Sequence, residues 1–152
     1  TANFAPYLLE RAQIYMNNDQ ARNAMLDYDA YYKAVNGQVN DLFYYYREQA
    51  ALKARQYQRA LDDIVKAVEL SPKDLTYRAE HAVVNLRVGR YEESMKILNE
   101  ILKDEPKYGE AYRLLGLCQI QLKKTDEACG NFNKAKELGD PNVDELIKKY
   151  CK

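Results

Sequence analysis

The chain has 152 residues, 23 Lys plus Arg against 23 Asp plus Glu, and an apolar fraction of 47%. That length is enough for one domain with its own core, folding without help from a metal or a disulfide framework. The even charge balance, with no long run of one sign, sets aside nucleic acid and an anionic membrane surface as partners, and the charge-free stretch Leu114 to Leu122 is about half of what a bilayer span needs.

In chain order, the N-terminal TANFAPYLLERA starts without Met and carries Glu10 and Arg11 where a signal peptide has its apolar core. The chain therefore reads as a processed product or a fragment. Next, segments rich in helix formers are separated by Asn36-Gly37, Ser71-Pro72, Glu105-Pro106 and Gly139-Asp140-Pro141. Apolar residues recur at spacings of three and four: Ala60, Ile64 and Ala67 mark one face and Leu61, Val65 and Val68 an adjacent one. Such a helix has two neighbours to pack against. Period-2 alternation is absent at any length, and the whole chain reads as helix.

The segment YQRALDDIVKAVELSP (Tyr57 to Pro72) returns in character 34 residues later as YEESMKILNEILKDEP and again as TDEACGNFNKAKELGD. Each unit breaks once in its middle, at Ala54-Arg55-Gln56-Tyr57, Val88-Gly89-Arg90-Tyr91 and Leu122-Lys123-Lys124-Thr125, into two helices of about 14 residues. Gly89 suits the left-handed residue that ends a helix. Each unit is thus a helix hairpin, which cannot bury its apolar faces alone but shares a core when stacked.

With Tyr112, Leu115, Gly116, Ala128, Phe132 and Ala135 at their offsets, the sequence resembles the tetratricopeptide repeat, a helix-turn-helix with aromatic, Leu-Gly and small residues at set places. The preceding units match with Ala82, Gly89, Tyr91, Ser94, Leu98, Ile101 and Pro106, and with Tyr44, Tyr57, Ala60, Ile64, Ala67 and Pro72. A step of 34 back from Ala60 lands on Leu26, which fails, whereas a step of 36 gives Ala24, Tyr28 and Tyr31 with Ala12 and Tyr15 before them. The resemblance implies an all-α, right-handed α-solenoid in one domain, 1–152. Its parts are a divergent repeat over 5–38, repeats over 41–74, 75–108 and 109–141, and a capping helix over 142–152 with Val143, Leu146, Ile147 and Tyr150 on its stripe.

Charges at unusual places call for a reading of their own. Arg11 and Arg47 are each followed 16 residues later by an aspartate, Asp27 and Asp63, while His81 and Leu115 at the same offset are followed by Ile97 and Asn131. The pattern predicts two partly buried ion pairs, Arg11 with Asp27 and Arg47 with Asp63, rather than a charged ladder for an anionic ligand. Glu48, a carboxylate at a helix crossing, is not explained by this rule, and a local shift of its helix is one reading of it. His81, the sole histidine, reads as a core or inter-repeat residue. Acid pairs such as Asp62-Asp63 and Glu92-Glu93 read as solvated helix positions. Cys118, Cys129 and Cys151 have no CxxC spacing. The simplest reading is three small apolar residues; the other is a bridge between Cys129 and Cys151, which would indicate an oxidising compartment.

No phosphate-loop, dinucleotide, HExxH or nucleophile-elbow motif occurs, and no catalytic residue, metal site or cofactor is expected. The resemblance implies a non-catalytic scaffold whose first helices line a concave protein- or peptide-binding face. Its lining offsets give Leu9, Gln13, Met16 and Asn17, then Tyr45, Tyr46, Gln49 and Lys53, then Ala79, Glu80, Val83 and Arg87, then Arg113, Leu114, Leu117 and Gln121. Tyr45 and Tyr46 lead, because tyrosine joins a large apolar face to a polar tip at low entropy cost; with Tyr32 they are the tyrosines that no repeat slot explains. Family members that bind chaperone tails hold the terminal carboxylate with a clamp of basic residues and asparagine. Matching positions here hold Leu9, Gln13, Tyr46, Thr76 and Glu80, or one repeat later Tyr45, Gln49, Glu80, Glu110 and Leu114, and neither set makes a clamp. Two other readings stand beside the scaffold. One is a segment of a longer array, or a self-associating module, docking through an N-terminal face that holds Tyr7, Leu8 and Ile14 or through the groove itself. The other is a regulatory appendage of an enzyme carried elsewhere in a longer chain. An exported or periplasmic location is slightly favoured over the cytoplasm.

Overall fold

A computed structural model describes residues 5–152; residues 1–4, with which the single-domain range begins, lie outside the described residues. Those described form nine α-helices and no strand: α1 Ala5–Asn17, α2 Ala21–Ala34, α3 Asp41–Lys53, α4 Tyr57–Leu70, α5 Leu75–Arg87, α6 Tyr91–Asp104, α7 Gly109–Gln121, α8 Thr125–Glu137 and α9 Asp144–Tyr150.

One turn chemistry joins the two helices of every hairpin. Asp19, Arg55, Gly89 and Lys123 stand at the same place and all have positive φ, at 56°, 59°, 81° and 61°. The residue after each donates its backbone N–H five places back, as Gln20 to Tyr15, Gln56 to Ala51, Arg90 to Asn85 and Lys124 to Gln119, at 2.8 to 2.9 Å. This closure satisfies carbonyls that a helix end leaves without partners. Glycine at position 89 is the one instance visible as a residue type. The other three turns hold the left-handed conformation with side chains that disfavour it, because the hydrogen bonds and packing of the hairpin outweigh a local cost of about 1 kcal/mol. At the opposite end of the hairpins, Asn40 Oδ1 accepts from the Phe43 N–H and Asp74 Oδ1 from the Tyr77 N–H, both at 3.0 Å, so α3 and α5 start on a capped turn.

The chain divides into two compact units, up to Tyr77 and from Arg78 onward. That division falls inside α5, where the sequence carries no boundary signal. In the N-terminal unit α1 packs on α2, α2 on α3 and α3 on α4. Small residues at the crossings, Ala12, Ala24, Ala50, Ala60 and Ala67, have no exposed surface. The α2–α3 junction is aromatic: Phe43 meets Tyr28 edge-on at 5.8 Å and stacks with Tyr31 at 5.5 Å and Tyr32 at 6.0 Å. Tyr32 thus has a packing role that its place outside the repeat slots concealed.

In the C-terminal unit Ser94 Oγ donates to the Ala82 carbonyl at 2.7 Å, and the buried Cys118 thiol lies 3.4 Å from Ser94 Oγ. Val143, fully buried, joins Ala128, Phe132 and Ala135, and Leu146, Ile147 and Tyr150 of α9 pack around them. A disulfide between Cys129 of α8 and Cys151 ties the end of α9 to α8. The reading of all three cysteines as separate apolar residues is therefore corrected: Cys118 alone is a buried free thiol. α9 is only seven residues long, too short to hold its geometry without such tertiary support.

Helix α7 approaches α8 so closely that a Cβ at Gly116 would lie 2.4 Å from Phe132 Cε1, a ring with no exposed surface, whereas a Cβ at Gly130 would meet nothing within 4 Å. One substitution should therefore act with opposite sign at two helical glycines. Gly130→Ala should stabilise by up to about 1 kcal/mol through helix propensity, and Gly116→Ala should destabilise by about 1 to 2 kcal/mol through overpacking. Urea unfolding of both variants measures this, and equal shifts would rule out the close α7–α8 crossing.

Candidate functional site

The arginines at the first-helix offsets are engaged within the fold. Arg11 Nε and Nη2 each donate to Asp27 at 2.7 Å, with the guanidinium over the rings of Tyr7 and Tyr15 at 5.3 and 5.8 Å. Arg47 Nε and Nη2 each donate to Asp63 at 2.8 Å, and its Nη1 reaches Asp29 at 3.3 Å. Above it lie Tyr32 at 4.9 Å, Phe43 at 5.2 Å and Tyr44 at 6.0 Å, and Arg59 closes the network by donating to Asp29. Asp63 is 4% exposed, so its reading as a solvated helix position is corrected; Asp62 beside it is exposed. In these two hairpins the fork-on-carboxylate geometry links the facing helices in one orientation. Asp29 escaped sequence reading because it sits in the preceding hairpin, where no intra-repeat spacing points.

Glu48 occupies the place of Ala12, Ala82 and Gly116 and has no exposed surface. Gln49 Nε2 donates to its Oε2 at 2.6 Å, so Gln49, a candidate ligand contact, is partly committed to the helix interior.

The remaining first-helix positions of the N-terminal unit converge. Gln13, Met16, Asn17, Tyr45, Tyr46, Gln49 and Lys53 line a depression of about 270 Å³ floored by Tyr28. Adjoining it is a larger cleft of about 650 Å³, lined by Leu9, Gln13, Tyr28, Tyr31, Phe43 and Tyr46 together with Gln38, Val39, Asn40 and Leu42. Gln13, Tyr28 and Tyr46 belong to both, which makes one groove along α1 and α3. Tyr46 is 42% exposed at its centre. Tyr45 lies beside it, rings 5.6 Å apart, and against Tyr77 at 5.3 Å. Burial pushes the Tyr28 hydroxyl up from its ordinary value of 10 to about 12. Lys53 is exposed and 3.7 Å from the exposed Asp19. Sequence offsets found α1 and α3, but Tyr28, Tyr31 and the 38–40 connection came to light only in the structure.

In the C-terminal unit the candidates differ in availability. Arg113 Nε donates to both oxygens of Asp140, at 3.2 and 3.0 Å, and Nη2 to Glu110 at 3.4 Å. Asp140 is itself held by the Asn142 N–H at 2.7 Å, so Arg113 pins the α8–α9 connection to α7 rather than presenting a free cation. Ala79 and Leu114 are buried, at 3% and 4% exposure, and leave the lining. Glu80, Val83 and Leu117 are half-buried and Arg87 and Gln121 exposed. Among the described residues no group of three or more His, Cys, Asp or Glu side chains could hold a metal, and no helix is long and apolar enough to cross a membrane.

Serial hairpins sharing one set of small, aromatic and left-handed positions define a helical repeat protein. The model of the family described as anaphase-promoting complex, cyclosome, subunit 3 matches residues 17–101, more than half of the chain, and the chain belongs to this family, which is of tetratricopeptide type. It is 29% identical over 99 residues to small glutamine-rich tetratricopeptide repeat-containing protein 2 of Mycosarcoma maydis, covering 65% of this chain and 28% of that protein. It is 31% identical over 101 residues to heat shock protein STI1 of Saccharomyces cerevisiae, covering 64% of this chain and 17% of that protein. The chain thus spans less than a third of the length of either relative. Among solved structures it is similar to YrrB, described as a TPR protein with an unusual peptide-binding site, at a TM-score of 0.80 and 19% identity over 95% of this chain and 74% of that one. It is also similar to MamA of Desulfovibrio magneticus RS-1, at 0.74 and 19% over 89% and 75%. These likenesses give the fold.

Two measurements address the charges. Arg47 and Asp63 have side chains 13% and 6% exposed, whereas Arg11 is 39% exposed. Asp63→Ala should therefore lower unfolding free energy by about 3 kcal/mol, and Asp27→Ala by less; the reverse order in denaturant titrations would refute this ranking. Half-burial pushes the His81 imidazole below its ordinary value of 6.5, against a weaker pull from Glu93. The fold favours the neutral ring, so its contribution is complete above pH 6.5 and is lost as pH falls below it. The sole histidine gives one unambiguous NMR titration, whose midpoint should lie below that of an unfolded control.

Proposed function

We propose that the chain is a non-catalytic tetratricopeptide scaffold that takes an extended protein or peptide segment along the α1–α3 groove of its N-terminal unit. The observation that carries this reading is the continuity of the two depressions through Gln13, Tyr28 and Tyr46. Aromatic faces there offer large apolar contact, and the amides of Gln13 and Asn17 can exchange hydrogen bonds with a peptide backbone. A preformed concave site of this size, mostly apolar with a few polar groups, suits a ligand that lies in it without large rearrangement. Its one ammonium, Lys53, falls short of a carboxylate clamp, so a free terminal carboxylate is not what the groove selects. The Cys129–Cys151 bridge supports an oxidising compartment for the chain.

A second reading, docking of another hairpin onto α1, is favoured by one comparison. Tyr7 and Ile14 are 53% and 56% exposed, yet the residues at their places in later hairpins, Phe43 with Ala50 and Ala111 with Cys118, are all buried. Each later pair is a first-helix face of the type that the preceding second helix covers, as α2 and α6 cover α3 and α7.

The two readings separate in one set of proteins. Peptides enriched on the whole chain from a random pool should lose at least tenfold in affinity, about 1.4 kcal/mol, against Tyr46→Ser or the pair Met16→Ser and Asn17→Ala. Indifference to both would remove the groove. A mass above the monomer in light scattering, abolished by Tyr7→Ser with Ile14→Lys, would support docking at α1; a monomer at every concentration would remove self-association there.

A further inference from the structure

The connection from α2 to α3 is longer than those from α4 to α5 and from α6 to α7, since the first repeat returns after 36 residues and the later ones after 34. The longer connection forms one wall of the cleft. Asn36 and Gly37 both have positive φ, 52° and 72°, and turn the chain out of α2. Gly37 N–H then donates to the Tyr32 carbonyl at 2.8 Å and Val39 N–H to the Gly37 carbonyl at 3.0 Å. Beyond them Asn40 caps α3, so Gln38 and Val39 are held in place from both sides. The floor is equally fixed: Tyr28 and Phe43 are 3% and 6% exposed, and Tyr31 stacks on Phe43. A site already ordered loses little entropy when a ligand enters.

The chemistry of this wall and floor is one-sided. Among the described residues no Asp, Glu, Lys or Arg lines the cleft. An ionised group placed there would shed water without finding a counter-charge, whereas an aromatic ring would find offset or edge-on partners in the half-buried Tyr31 and the exposed Tyr46, above a floor made by the buried Tyr28 and Phe43. About 650 Å³ is ample for such a ring and the backbone on either side of it.

We propose that this cleft is an anchor site for one aromatic side chain of a partner protein's segment, a Phe, Tyr or Trp flanked by residues without charge. The inference rests on the groove reading above and adds what the groove selects. Leu42, 43% exposed at the cleft, offers the test substitution. It lies in the first turn of α3, where a carboxylate is favourable to the helix, so Leu42→Glu should fold normally while charging the site; a thermal melt checks this.

Hexapeptides enriched from a random pool on the whole chain are synthesised and measured by fluorescence anisotropy. The expected binders carry one aromatic residue with no charged neighbour. They should lose at least tenfold on changing that residue to Ser, on placing Asp beside it, and on Leu42→Glu in the protein. Binders that lack an aromatic residue, or ignore Leu42→Glu, overturn the anchor; if they still weaken with Met16→Ser and Asn17→Ala, the groove reading survives without it. A pool with no enriched sequence overturns both. Should Leu42→Glu fail its melt, the peptide substitutions alone decide.

Discussion

Close crossing of the two helices within each hairpin is the constraint on which the rest depends. In three hairpins it admits Ala12, Ala82 and Gly116 on the first helix and Ala24, Ser94 and Ala128 on the second, with Glu48 opposite Ala60 in the α3–α4 hairpin, and at Gly116 it leaves no room even for a methyl group beside Phe132. Once two helices lie that near, their outer faces are set at a fixed angle, and the next hairpin has a surface of known shape to cover. Capping, left-handed turns and ion pairs then act on a geometry that packing has already chosen.

The N-terminal unit shows how much polarity this arrangement tolerates. Arg47 is held partly buried between helices because three rings cover it and Asp63 and Asp29 accept its hydrogen bonds. Such a pair adds little net stability against an apolar isostere, and its contribution is to fix orientation. The consequence reaches the groove, because Phe43 and Tyr32 bridge the arginine and the aromatic floor. The network that joins α3 to α4 thus also borders the cleft.

Residue character at a fixed period made the fold legible, since small and aromatic residues at helix crossings are dictated by sterics that repeat with the hairpin. It also brought Arg11 to Asp27 and Arg47 to Asp63, whose spacing of 16 is the distance between facing positions of one hairpin. Features that break the period were hidden. Arg113 finds Asp140 in the connection before α9, at a spacing no other repeat shares, and so a groove candidate turned out to be a structural clasp. Asp19, Arg55 and Lys123 adopt a left-handed backbone that only Gly89 advertised. The cysteine pair lay open between two readings because the path of α9 over α8 is set by Val143 and Phe132, which composition does not locate.

The bridge from Cys129 to Cys151 encloses α9 in a covalent ring with a sequence separation of 22. Tension arriving from the C-terminal side of Cys151 passes through sulfur to α8, whose ring Phe132 is anchored in the interior, and bypasses α9 altogether. A short helix that would unravel first under load is thereby shielded from it. Load entering at Cys151 is therefore borne by the eighth helix rather than the ninth.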